Sequence, residues 1–166
     1  MRTIGQLKVE QFLQQQVAQF TLPLTQQQPL AYCFSTEDVT LSVSYDVQKK
    51  LLAQLYPLIV TYTFPVTSSE TTEASYKFHK KAWFTKKQQR LLPQLAFFDP
   101  HVVDIASLTY TQCNQQATLR FSVIPGSYHI LIFPPMHQGI AFTKQEIAYF
   151  LSIYETLSKK GVHAIC

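Results

Sequence analysis

Four glycines in 166 residues, at positions 5, 126, 139 and 161, are too few and too scattered to build a G-x-G-x-x-G turn or a Walker loop. Glycine-cradled dinucleotide and P-loop phosphate binding are excluded on that ground, and no other motif implies a cofactor. Cysteine is equally sparse: Cys33, Cys113 and Cys166 match neither the spacing of a zinc ribbon nor a C-x-x-C redox pair. Unpaired thiols suit a reducing compartment, so the expected location is cytoplasmic. The N-terminal segment carries Arg2, Lys8 and Glu10 and runs into glutamines, which leaves no room for the apolar stretch of a signal peptide. Long hydrophobic runs are missing as well. Stretches such as 58–60 and 130–133 fall far below the ~20 apolar residues that cross a bilayer, and no membrane span is expected.

Charge is scarce, and acid most of all. Charged residues make up 14% of the chain, with 10 Asp and Glu against 14 Lys and Arg, where ~25% charged is usual. So few carboxylates supply little for paired acid-base catalysis. Asp99, His101 and Asp104 are metal-ligand types that His129 and His137 could join in space, but no H-E-x-x-H spacing occurs. Asp99 before Pro100 reads instead as the cap of one brief helical turn ending near Ala106. Ser127 and Cys113 are nucleophile types, yet no G-x-S-x-G elbow is present. A small enzyme would need His101, His129 or His137 to converge with a carboxylate or thiol. The sequence leans away from catalysis.

Hydrophobic residues are plentiful at 46%, including 12 Phe, 9 Tyr and 1 Trp, and the polar remainder is rich in amide, with 19 Gln. Val9, Leu13, Val17 and Phe20 recur at helical spacing and predict a helix over 5–20, closed by Pro23. Segments 30–35 and 39–45 predict a hairpin, and 58–64 a third strand. Asp46 predicts the cap of a short helix carrying Leu51, Leu52 and Leu55. Alternation predicts a strand over 74–84, and Thr85 with Gln88 begins a helix through Leu95 that Pro93 should kink or split. Strands follow at 107–111, 117–124 and 128–133, with Pro125 and Gly126 as a turn between the last two. Thr143 and Glu146 form a capping box for a final helix over 143–160, ended by Gly161. The sum is a single α+β domain spanning 1–166, a mainly antiparallel sheet of six or seven strands covered by three or four helices. Its element order is similar to that of small secretion-chaperone folds, which are typically acidic where this chain has a net charge of +4.

An ungapped shift of 78 residues pairs 8–45 with 86–123 and finds 11 identities in 38 positions, among them Phe20 with Phe98, Tyr32 with Tyr110 and Leu41 with Leu119. This suggests an internal duplication of a helix-hairpin-strand unit, with pseudo-repeats at 5–66 and 84–135. The bland alternative is that any two such units share the pattern.

Between Glu73 and Asp99 the chain has no acid, and Lys77, His79, Lys80, Lys81, Trp83, Lys86, Lys87 and Arg90 form a basic, aromatic-interleaved stretch. It suits an anionic partner, whether nucleic acid, anionic lipid or an acidic protein, while a solvated lysine-bearing strand and first helical turn, with the alternate aromatics in the core, accounts for it without any partner. Residues Phe133, Pro134, Pro135 and Met136 read either as an interface or pocket mouth, or as a stiff loop whose methionine plugs a core gap. The favoured function is a non-catalytic binding protein that uses a groove or sheet face for a protein or small apolar ligand, with nucleic acid binding over 76–90 as the alternative. Low charge and abundant aromatics also make a homodimer a candidate state.

Overall fold

The computed structural model describes residues 4–36, 38–78 and 91–159. The chain opens with helix α1 (Ile4–Val17), extended by a 3₁₀ turn at Ala18–Phe20. Strands β1 (Leu24–Gln28), β2 (Ala31–Ser35), β3 (Thr40–Tyr45), β4 (Gln48–Lys50), β5 (Ala53–Pro65) and β6 (Thr72–Lys77) follow. After a 3₁₀ turn at Pro93–Leu95 come β7 (Ile105–Cys113), β8 (Gln116–Leu131), β9 (Met136–Gly139) and helix α2 (Lys144–Lys159). The nine strands of the described residues all join one antiparallel sheet in the order β1-β2-β3-β5-β8-β7-β6, with β4 on β5 and β9 on β8. The α+β expectation holds, with more strands and fewer α-helices among the described residues than the sequence suggested.

Both helices cover the same face. Period two along β2, β3, β5 and β8 sends Phe34, Leu41, Val43, Val60, Tyr62, Leu119 and Phe121 inward, where they meet Leu13, Phe20, Phe150 and Ile153. Phe150 sits at the centre, its ring against Phe20, Phe121 and Phe142. The Tyr62 hydroxyl donates to the Phe150 carbonyl at 2.8 Å, fixing α2 on the sheet. The capping box closes as expected: Glu146 Oε2 accepts from the Thr143 N–H at 2.8 Å, and the Thr143 hydroxyl accepts from the Glu146 N–H at 3.3 Å.

Three expectations need correction. Residues 48–55 form the β4–β5 hairpin rather than a helix, because Ala53 to Tyr56 also pair with β8 and the backbone is drawn into two ladders at once. Pro125 and Gly126 do not reverse the chain, so 117–124 and 128–133 merge into the single strand β8. Opposite this point Pro57 has no N–H to give the ladder, and four residues of β8, 124–127, bulge against it between the Tyr56–Tyr128 and Leu58–Val123 pairs. Gly126 supplies the positive φ of 80° that the bulge requires. Third, the turn after Pro100, in which the Val102 N–H donates to the Asp99 carbonyl at 3.5 Å, does not continue as a helix to Ala106. Asp99 Oδ1 accepts from the His101 N–H at 2.9 Å and organises a bare turn leading into β7.

The middle helix expected through Leu95 falls largely on residues outside the described ones, and Pro93 opens the 3₁₀ turn that is described. The hairpins β2–β3 and β7–β8 flank β5, and the residues that the 78-residue shift pairs, Phe20 with Phe98, Tyr32 with Tyr110 and Leu41 with Leu119, are all buried. Their connections differ in length, however. Ser35 faces Thr40 across one turn and Cys113 faces Gln116 across the other, so Tyr32 faces Val43 while Tyr110 faces Leu119.

Candidate functional site

Beyond the Pro57 bulge, β4, β5, β8 and β9 continue as a four-stranded extension of the sheet. Its base is tied down from several sides. The Ser127 hydroxyl accepts from the Leu58 N–H at 3.1 Å and donates to the Val123 carbonyl at 2.8 Å. Tyr45 donates to the Gly126 carbonyl at 2.6 Å, and the Ile140 N–H donates to the Ser127 carbonyl at 2.9 Å. Phe12 of α1 packs on the Tyr128 ring and against Gly139, where an added Cβ would come within 2.6 Å of the Phe12 ring.

From this base two hairpin tips project side by side. One is Leu51 and Leu52 between β4 and β5, the other runs over 132–135 between β8 and β9, and the Ile132 N–H donates to the Leu52 carbonyl at 2.9 Å. Both tips are apolar and wet: relative exposure is 93% for Leu51, 79% for Phe133, 56% for Leu52 and Ile132, and 44% for Met136. Met136 therefore plugs no core gap, and the interface reading of 133–136 is the one the exposure favours. Pro134, joined to Phe133 by a cis peptide, and Pro135 complete the second tip. Exposed Lys49 and Lys50 stand directly behind Leu51. No acidic residue lies between 47 and 69 or between 105 and 145.

The solvent face of the sheet is different in kind. Cross-strand pairing lines up Ser35, Thr40, Thr63, Thr118, Thr111 and Glu73 in one row and Cys33, Ser42, Thr61, Arg120, Thr109 and Ser75 in the next. Hydroxyls dominate these rows, which carry no aromatic side chain. A third surface is an open groove of about 420 Å³ between α1 and the β1–β2 hairpin, lined by Gln11, Gln14, Gln27, Gln28 and Tyr32 among others. Leu7, Pro29 and Tyr32 share its wall with these amides and Glu10, so its lining is mixed in character.

Of the basic stretch, only Lys77 lies within the described residues. It is exposed on β6, an edge strand paired with β7. His79, Lys80, Lys81, Trp83, Lys86, Lys87 and Arg90 lie outside them. The catalytic candidates do not converge. His129 pairs across with Gln138, which puts it and His137 on opposite faces of the β8–β9 ladder. His101 sits in the turn after Asp99, and Cys113 is exposed at the β7–β8 turn. Ser127 is buried and engaged in the bulge. Among the described residues no three His, Cys, Asp or Glu side chains gather as a metal site. No helix of the described residues is long and apolar enough to cross a membrane. Leu51, Leu52 and Ile132 are the site residues that sequence reasoning missed. Their signal was a Leu-Leu pair set against Lys-Lys in a stretch without acid.

No curated protein and no solved structure matches the chain. Residues 15–160 match the family described as Protein of unknown function (DUF3156), and the chain belongs to that family.

Proposed function

We propose that the protein is a non-catalytic binding protein, working in the cytoplasm, that engages an extended apolar surface with its paired hairpin tips. The observation that carries this reading is the exposure of Leu51, Leu52, Ile132, Phe133 and Met136 at one end of the sheet. Grouped apolar exposure of this kind marks an interaction site. The tips are convex, whereas a small apolar ligand needs a concave apolar pocket, so an extended partner surface suits them better than a small molecule. Half of the ~1.5–3 kcal/mol available from fully burying each of these five side chains sums to roughly 4–8 kcal/mol. That corresponds to a millimolar to micromolar, reversible attachment.

Partition into nonionic dodecylmaltoside micelles tests the reading without assuming a partner. The wild type is expected to co-sediment with micelles, and a Leu51→Ser, Leu52→Ser, Phe133→Ser variant to stay free. A wild type that ignores micelles, or a variant that binds them equally well, overturns the proposal.

A further inference from the structure

We infer that the surface engaged by the tips is an anionic lipid bilayer. The inference rests on the tips being the binding surface and adds the chemistry of what they meet.

The arrangement is layered along the strands. Leu51, Leu52, Ile132 and Phe133 lead. Lys50 adjoins Leu51 and Lys49 stands two residues behind it, about 7 Å at the ~3.3 Å rise of a strand. An interfacial segment seats its apolar side chains roughly 5–10 Å into the boundary between headgroups and acyl chains. With Leu51 and Phe133 at that depth, Lys49 and Lys50 come level with the lipid phosphates. The acid nearest along the chain is Asp46, three residues behind Lys49 and accepting from Gln48 Nε2 at 3.3 Å, and residues 47–69 and 105–145 lack acid altogether. Lysines near an anionic leaflet are attracted to it, and the cytoplasmic leaflet is the anionic one.

The same charges disfavour a second copy of this chain. Tip-to-tip docking would bring Lys49 and Lys50 of both copies together without a carboxylate between them. The fused tips also suit insertion. The Ile132–Leu52 hydrogen bond pairs the two turns, and Pro134 and Pro135 bring no N–H groups that would need water.

Flotation with phosphatidylglycerol–phosphatidylcholine vesicles, compared with phosphatidylcholine vesicles, tests this. The wild type should float with the anionic vesicles, less at high salt and less with phosphatidylcholine alone. Lys49→Gln with Lys50→Gln should weaken anionic-vesicle binding about fivefold per lysine and leave micelle partition unchanged. Phe133→Ser should weaken both by about tenfold or more, whereas Lys8→Gln on α1 should change neither. Every variant is checked for a wild-type melting profile, which the exposure of these side chains should preserve. Micelle partition without vesicle binding overturns the bilayer inference and leaves the tips as a binding surface for a protein. Loss of both overturns both readings. Vesicle binding that survives Phe133→Ser and the double lysine substitution, or tip-dependent dimerisation in place of vesicle binding, also overturns the inference.

Discussion

The backbone N–H of Ile132 donates to the carbonyl of Leu52 at 2.9 Å, so two turns separated by almost half the chain share one hydrogen bond. That bond holds the tips together through the main chain, and the side chains of Leu51, Leu52, Ile132 and Phe133 remain free to face outward. Folding gains little from them.

Replacing Leu51, Leu52 and Phe133 together with serine should therefore leave stability within about 0.5 kcal/mol per site, read by urea denaturation, while solubility rises. A loss of several kcal/mol would mean that these side chains are packed against the protein itself.

Ser127 carries the opposite expectation. Its hydroxyl stands in for the ladder partner that the bulge takes away from the Leu58 N–H, and it is buried. Ser127→Ala leaves a buried donor unsatisfied and should cost about 1–3 kcal/mol. Denaturation midpoints with unchanged slope would show this, and an unaltered midpoint would mean that Leu58 is satisfied elsewhere.

Gly126 is constrained twice, by its φ of 80° and by space, since a Cβ would lie 2.5 Å from Leu58 Cδ2 and 2.9 Å from Phe142 Cε2. Left-handed backbone alone costs an L-residue roughly 1–2 kcal/mol, and the clash adds to it. Gly126→Ala should lower the melting temperature by about 2–4 °C per kcal/mol lost. A variant as stable as wild type would refute the bulge geometry.

What was legible in the sequence was local. Helix α2 announced itself through Thr143, Glu146 and a stripe of Ile147, Phe150, Tyr154 and Leu157, because its cap and its face are both encoded within one segment. Hairpin β2–β3 was equally self-contained. The β4–β5 hairpin was not, since Leu51, Leu52 and Leu55 have the spacing of a helical stripe and only the pairing of β5 with β8, far along the chain, decides against it. Pro125 and Gly126 fit a reversing turn as well as a bulge, and what selects the bulge is Pro57 on another strand. Strand β1 carries Gln26, Gln27 and Gln28, which have neither β-propensity nor alternation, and forms by edge pairing with β2. Of the site, Phe133 and Met136 stood out, but their joining with Leu51 and Leu52 is a product of the sheet.

Burial of the interior tyrosines predicts an alkaline limit to the fold. Burial pushes the Tyr62 hydroxyl well above its ordinary value of 10.0 and the neighbouring Tyr149 adds to this, while burial also raises Tyr45. A neutral tyrosine held protonated in the fold contributes fully below pH ~10, the unfolded pKa. Above it the unfolded chain sheds a proton that the fold retains, so stability falls by about 1.4 kcal/mol per pH unit for each such tyrosine until the folded pKa is reached. Stability should hence be flat in this respect through neutral pH and drop steeply beyond pH ~10. Tyr62→Phe should lose the 2.8 Å bond to the Phe150 carbonyl at neutral pH, at a cost of about 0.5–1.5 kcal/mol since that carbonyl lies inside α2 and keeps its helical partner, yet show a shallower alkaline slope. Urea denaturation of both proteins from neutral pH to beyond pH ~10 reads the two effects separately, and parallel slopes would show that Tyr62 ionises in the fold as easily as in the unfolded chain.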